Sequence, residues 1–329
     1  MSSKNILITG ITGQDGIFLT NKILKKDSSI KVAGFSRNKN NSNFYKKLKY
    51  LNYEIDLNRI DLLNIDQENY VELNSFISSF NPSYIYNLTG PSSVYESILE
   101  PSVTGKTMIS NFMNLVNSLI ENNNYCNFFH PSSSEMFNQS NGLPLDESSE
   151  FNPTSSYALS KLYIYNFIDI LRKKYDWKFS NGILFNHESE FRSDDYLIMK
   201  IISKALEISK DPSKRLVVGS LELSRDWSYA EDIVDAMCLM VENNLNDNFV
   251  LGSGKGHTVK DIIIFVFNYL GIDWETSVDV DESLLRDGDP LKILANPKKI
   301  KKETGWEAST SLESFLEKCI IYKKELSIS

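Results

Sequence analysis

Cysteine is scarce in this chain: Cys126, Cys238 and Cys319 are the only three among 329 residues. An odd count without metal-ligand spacing disfavours both a disulfide framework and a zinc site, so all three read as small buried apolar residues. No uncharged apolar run approaches the roughly 18 residues of a membrane span, and the run Asn5–Thr9 is too short for a secretory leader, which predicts a cytoplasmic protein. Positive charge is also short, with 35 Lys and Arg against 43 Asp and Glu and a formal net charge of -8. That balance excludes a general affinity for nucleic acid or anionic membrane, so an anionic ligand must find local cations.

What is present is enough apolar material, at 41% of residues, to fill two cores. Lysine and asparagine are spread along the chain in polar runs such as Asn38 to Asn43, which read as compositional bias. Short apolar runs alternate with helical periodicity. Strands are predicted at Ile6–Thr9, Lys31–Phe35, Tyr84–Leu88, Asn127–His130 and Lys178–Leu184, with another drawn from Tyr53–Leu57 and ending towards Asp61. Helices are predicted over Ile17–Lys26, Tyr70–Phe80, Met108–Glu121 and Tyr157–Lys174. This alternation implies an α/β fold, a doubly wound parallel Rossmann sheet. Beyond Phe185 the pattern is less regular, with helices near Tyr196–Ser209, Glu231–Asn243, Val259–Leu270 and Leu312–Lys323. A smaller mixed α/β substrate lobe is expected there, giving a first domain over 1–184 with a return near 228–258, and the substrate lobe over 185–227 and 259–329.

Gly10, Gly13 and Gly16 recur every third residue directly after the first strand, within Thr9-Gly10-Ile11-Thr12-Gly13-Gln14-Asp15-Gly16. A dinucleotide pyrophosphate needs such a turn, because the backbone must approach it without a Cβ in the way and present a helix N-terminus. Thr12, Gln14 and Asp15 complete the expected cofactor turn. After the second strand the chain carries Ser36-Arg37-Asn38-Lys39 where an acidic residue would receive an unphosphorylated ribose. Arg37 suits a 2'-phosphate, so NADP is preferred to NAD, with Asp61 and Leu62 flanking the adenine.

Tyr157 and Lys161 lie four apart on a predicted helix and share a face. Lys161 can lower the tyrosine pKa, letting a Tyr157 phenolate take a proton from a sugar hydroxyl. Ser133 and Glu135 follow the fifth strand, at the edge of the sheet where ligands bind in such folds. Ser133 would hydrogen-bond the C4 oxygen. Glu135 discriminates among reactions: oxidation or epimerisation at C4 needs no carboxylate, whereas removing water across C5 and C6 needs a base for the C5 proton and an acid for the departing hydroxyl.

These residues together resemble the GDP-mannose 4,6-dehydratase family of extended short-chain dehydrogenases/reductases, over essentially the whole chain. The likeness rests on the Gln14-Asp15 form of the glycine turn, on Asn181-Gly182-Ile183-Leu184-Phe185-Asn186-His187-Glu188-Ser189, and on Arg225-Asp226-Trp227. The resemblance implies that Ser133, Glu135, Tyr157 and Lys161 are catalytic, and that Leu88, Gly90, Leu184, Asn186 and His187 line the cofactor cleft. It implies further that Asn186, Lys200, Arg225 and Arg286 hold GDP, with Ser92 and Ser93 beside the sugar. The implied cycle is C4 oxidation by NADP, loss of water from C5 and C6, and return of the same hydride to C6. A homodimer or homotetramer is implied as well.

The chain departs from the family pattern at Ser133, usually threonine, at Pro91, usually glutamine, and at Glu190-Phe191-Arg192-Ser193, usually rich in proline and arginine. A heptose or an N-acetylated sugar on GDP therefore stays open beside the hexose. The competing readings are a GDP-4-keto-6-deoxy sugar reductase or C4 epimerase of the same fold, and a non-catalytic NADP-binding sensor or scaffold.

Overall fold

The computed structural model describes residues 4–36, 41–90, 94–137, 144–285 and 290–326, with the backbone alone over 94–96. In chain order the first strands and helices are β1 Asn5–Thr9, α1 Gln14–Lys26, β2 Lys31–Phe35, α2 Ser42–Leu51, β3 Ile60–Leu63, α3 Tyr70–Phe80, β4 Tyr84–Asn87, α4 Val94–Leu99, α5 Pro101–Glu121, β5 Asn127–Ser133, α6 Ser156–Tyr175 and β6 Phe179–Leu184. There follow β7 His187–Glu188, α7 Leu197–Lys210, β8 Leu216–Val218, β9 Ser224–Arg225, β10 Ser228–Tyr229, α8 Ala230–Glu242, β11 Asn248–Leu251, β12 His257–Thr258, α9 Val259–Leu270, β13 Val278–Val280, β14 Lys292–Ile293, α10 Lys298–Thr304 and α11 Leu312–Leu326.

The chain divides into two compact units. Unit one comprises Met1–Asn138, Ser149–Leu184 and Val234–Phe249, and unit two comprises Gln139–Ser148, Phe185–Ile233 and Val250–Ser329. The main sheet has seven strands in the order β11-β6-β5-β4-β1-β2-β3. β1 runs parallel to β2 and β4, and β2–β3, β4–β5 and β5–β6 are parallel too, as the alternation of strands and helices predicts. The order turns back on either side of β1, which sets the topological switch point between β1 and β4.

Strand residues of unit one alternate faces, and Leu7, Ala33, Phe35, Ile85, Phe128 and Phe179 point to one of them. They pack with Leu73 and Ile77 of α3, Phe112, Leu115, Val116 and Leu119 of α5, and Ile164, Ile168 and Leu171 of α6. Trp177 closes the end of this core, its indole Nε1 donating to the Cys126 carbonyl at 2.6 Å. Two polar pairs bridge the sheet: Ser132 Oγ donates to Asn181 Oδ1 at 2.9 Å, and Asn181 Nδ2 to Asn248 Oδ1 at 3.1 Å. Cys238 and Cys319 are buried and Cys126 is half-buried, and all three are free thiols.

Unit two holds smaller sheets. β10 pairs with β7 in parallel, β13 pairs with β8, and β9 lies between an antiparallel β12 and a parallel β14. No helix among the described residues is long and apolar enough to cross a membrane.

Several boundaries differ from expectation. The third strand is Ile60–Leu63, with Leu57–Arg59 forming a 3-10 turn, so Asp61 lies within the strand and not beyond its end. Asp56 caps that turn by accepting from the Asn58 N–H, a local bond that competes with extension. α5 begins at Pro101 and not near Met108, because proline at the first position supplies a helical φ and loses no bond there. β5 continues to Ser133 through Pro131. Its pairing with β4 stops at Phe129, so the missing Pro131 N–H interrupts no bond on that side.

Leu115 is fully buried on α5. Leu115→Ala is expected to lower the unfolding free energy by about 2–5 kcal/mol in urea titrations, with the transition remaining cooperative.

Candidate active site

β1 ends at Thr9 and the chain turns at Gly10, whose φ of +69° is left-handed. A Cβ on Gly10 would stand 2.7 Å from the Leu88 carbonyl oxygen, so only glycine lets the β1 turn lie this close to the end of β4. The Gly13 N–H donates to the Gly10 carbonyl at 3.0 Å, and Gly13 is then the N-cap of α1, where no side chain caps the helix. Gly16 packs against the Ile11 backbone, where any side chain would collide. Thr12 is exposed, Gln14 is buried and Asp15 is half-buried. The cradle, the uncapped helix end and the switch point coincide, an arrangement that fits the pyrophosphate of a dinucleotide. Asp61 is exposed and Leu62 half-buried on β3, Leu88 is half-buried, and Leu184 is 8% exposed at the end of β6.

The proton-transfer candidates come from β5 and α6 in the same unit. Ser155 caps α6, its Oγ accepting the Ala158 N–H at 3.1 Å, and this fixes the first turn on which Tyr157 sits. Lys161 follows one turn later. Its Nζ donates to the Pro131 carbonyl at 2.7 Å and lies 5.7 Å from the centroid of the Tyr157 ring. Lys161 is 5% exposed, and burial pushes its ammonium down to about 8. Ser133 is 8% exposed and its Oγ accepts the Glu135 N–H at 3.3 Å, which leaves the hydroxyl proton to be donated elsewhere. Glu135 is half-buried on the 3-10 turn Ser134–Met136. Ser133 and Glu135 on one segment, and Tyr157 and Lys161 on the other, thus meet through the Lys161–Pro131 bond.

Unit two presents further polar residues. Asn186 is exposed, and its carbonyl accepts the Ser228 N–H at 2.9 Å. His187 is half-buried with Nδ1 2.8 Å from the Phe185 carbonyl, which places the ring proton on Nδ1. Lys200 is exposed on α7. Arg225 is 5% exposed and donates from Nη1 to the Ser224 and Pro290 carbonyls at 2.8 and 2.9 Å. Arg37, Ser92, Ser93 and Arg286 lie outside the described residues.

Asp226, which sequence reasoning used only as part of a motif, is completely buried and organises this region. Its Oδ1 accepts the Ser253 N–H and hydroxyl at 2.8 and 2.6 Å, and its Oδ2 accepts the Gly254 and Ala295 N–H groups at 2.8 and 3.2 Å. Burial pushes its carboxyl up, and these bonds offset part of that shift. Trp227 is 4% exposed, a core residue.

Comparison with known proteins decides the family: the model of the family described as GDP-mannose 4,6 dehydratase matches residues 7–319. The chain belongs to that family. A GDP-mannose 4,6 dehydratase 2 of Arabidopsis thaliana is 31% identical over 98% of this chain and 88% of its own length. A GDP-mannose 4,6-dehydratase of Vibrio cholerae is 28% identical over 97% of this chain and 93% of its own. Among solved structures, a UDP-N-acetylglucosamine 4-epimerase from Methanobrevibacter ruminantium superposes with a TM-score of 0.84 at 21% identity, covering 99% of this chain and 100% of that one. A dTDP-glucose 4,6-dehydratase from Bacillus anthracis in complex with NAD gives 0.82 at 17% identity, covering 98% and 97%. At these identities the two structures establish a shared fold. The family carries the nucleotide-sugar dehydratase name on the same α/β scaffold whose site is described above.

Lys161 gives a signed prediction. Its native pKa near 8 lies below the unfolded value of about 10.4, so over that window the unfolded chain binds more protons and stability rises with pH. Below pH 8 both states are charged and burial counts fully against the fold. The unfolding free energy of the wild type, measured in urea relative to Lys161→Met, is expected to move in the wild type's favour between pH 8 and about 10. A difference flat across that range would refute the depressed lysine.

Proposed function

We propose that this chain dehydrates a GDP-hexose, GDP-mannose first, to the GDP-4-keto-6-deoxy sugar, with NADP as a tightly held cofactor. The observation that carries the reading is the joining of the Ser133–Glu135 segment to the Tyr157–Lys161 pair through one buried bond, beside a glycine cradle, in a chain of this family. Gly10, Thr12, Gly13, Gln14, Asp15 and Gly16 would hold the pyrophosphate, Asp61, Leu62, Leu88 and Gly90 the adenosine side, and Leu184, Asn186 and His187 the nicotinamide side. Arg37 favours the 2'-phosphate of NADP over NAD on sequence grounds. When bound, the cofactor supplies an acceptor and then a donor for one hydride.

The chain's own side chains handle protons. The Lys161 ammonium favours the Tyr157 phenolate, which takes the proton of the C4 hydroxyl and becomes the neutral phenol. Ser133 Oγ, which receives the Glu135 N–H, directs its own proton to the C4 oxygen. Once a C4 ketone acidifies C5, the Glu135 carboxylate removes the C5 proton and returns it to the departing C6 hydroxyl as water. Asn186, Lys200 and Arg225, with Arg286, Ser92 and Ser93, hold the GDP-sugar. The cations among them answer the need for local positive charge in an acidic chain.

Self-association as a dimer or a dimer of dimers is supported by apolar side chains left exposed on two helices of unit one. Val103 of α5 and Leu159, Tyr163 and Ile170 of α6 are 57%, 60%, 45% and 55% exposed.

Incubation with GDP-mannose and catalytic NADP is expected to give a nucleotide sugar lighter by one water, followed by mass spectrometry, without net NADPH formation. An unchanged mass with cofactor bound would overturn the GDP-mannose assignment. Glu135→Gln is expected to lower kcat by about 10²–10⁴-fold, since acid–base groups contribute on that scale. Leu159→Asp is expected to shift the mass seen by light scattering towards the monomer, and an unchanged mass would remove α6 from the interface.

A further inference from the structure

His130 is 2% exposed and belongs to none of the sequence motifs, yet it ends a hydrogen-bond chain that crosses three adjacent strands. The Thr89 N–H donates to Thr9 Oγ1 at 3.2 Å, Thr9 Oγ1 donates to Asn87 Oδ1 at 2.7 Å, and Asn87 Nδ2 lies 3.2 Å from His130 Nδ1. Thr9 Oγ1 receives a main-chain N–H and points its own proton at the Asn87 side-chain oxygen. The other end of the amide is an NH₂ group, which only donates, so His130 Nδ1 must offer a lone pair. The imidazole is therefore neutral with its proton on Nε2.

Nε2 has no hydrogen-bond partner among the described residues, and the ring stands edge-on to Phe112 with centroids 5.1 Å apart. Burial pushes the histidine pKa well down, and the Lys161 charge pushes it further. A second proton would break the bond to Asn87 and set a cation beside Lys161, so both the geometry and the field favour one tautomer.

Each residue of this chain stands next to a working part. Thr9 precedes Gly10, Asn87 precedes Leu88, and His130 precedes Pro131, whose carbonyl receives Lys161. The strand order β5-β4-β1 makes these three ends neighbours. We propose that His130 is a positioning residue: locked as the Nε2–H tautomer by Thr9 and Asn87, it fixes the Pro131 carbonyl, and through Lys161 the placing of Tyr157 relative to the glycine cradle. The inference rests on the reading of Tyr157 and Lys161 as the proton-transfer pair. It adds a residue that acts without touching substrate.

The test begins with ¹⁵N-histidine-labelled protein, in which only three histidines give signals and His130→Gln assigns the one that disappears. Long-range ¹H–¹⁵N spectra are expected to show His130 as the neutral Nε2–H form, unchanged between about pH 5.5 and 8.5. Titration within that range, or a proton on Nδ1, would overturn the lock. In kinetics, His130→Leu leaves the Asn87 NH₂ without an acceptor and is expected to lower kcat about 10- to 100-fold, the scale of a small misplacement, with KM for GDP-mannose nearly unchanged. His130→Gln, whose Oε1 can accept from Asn87, is expected to rescue most of that loss. A His130→Leu variant that keeps kcat within about twofold, or a folded His130→Gln variant as impaired as the leucine variant, would refute the positioning role. Inertness of the wild type towards GDP-mannose would defeat the functional reading, while the tautomer spectra would still decide the lock.

Discussion

Lys161 sits almost wholly out of solvent, with its ammonium on the carbonyl of Pro131, and the proposed chemistry depends on that contact. A buried lysine is costly because its charge loses water, and one hydrogen bond replaces only part of that hydration. The cost has a use in proton transfer: an ammonium near Tyr157 acts through a poorly screening medium, and its own pKa falls into the range where it can lose a proton. Proline suits the accepting position. It has no N–H to satisfy, and it lies where pairing with β4 has ended.

The sheet order explains why the remaining parts gather. β1 has β2 on one side and β4 on the other, so helical crossovers leave in opposite directions and a crevice opens beyond the ends of β1 and β4. Gly10 can approach Leu88 there only because it lacks a side chain and accepts a left-handed φ. In unit two, Asp226 gives comparable order by a different device. One carboxylate gathers main-chain N–H groups from Ser253, Gly254 and Ala295, fixing two segments around the strand that carries Arg225. The two devices differ in transferability: the glycine is replaceable by nothing, whereas the carboxylate works through several bonds of which each is partial.

Local features were legible from the sequence. α3 and α9 have the predicted bounds, Tyr70–Phe80 and Val259–Leu270, because their apolar residues recur at helical spacing between polar flanks. The glycine turn and the Tyr157–Lys161 spacing were readable for the same reason. α2 was hidden within lysine- and asparagine-rich sequence, and its burial rests on Phe44 and Leu48. The end of β5 was hidden because Pro131-Ser132-Ser133 has the composition of a loop, and only pairing with Gly182, Ile183 and Leu184 makes it strand. His130 and Asp226 act through partners 43 to 121 or 27 to 69 residues away, distances at which no periodicity carries a signal. For His130 the nearer link is Asn87, and Thr9 is reached only through it.

The division of the chain bears on how the molecule is made. Unit one is assembled from three segments, the last of which is Val234–Phe249, and its edge strand β11 begins only at Asn248. A ribosome must therefore deliver the chain as far as β11 before the sheet that holds the glycine cradle has all its strands, by which point the Gln139–Ser148 and Phe185–Ile233 segments of unit two have already been made. Such non-local closure slows folding and leaves β6 as an open edge in the nascent protein, where pairing with another chain competes with the arrival of β11.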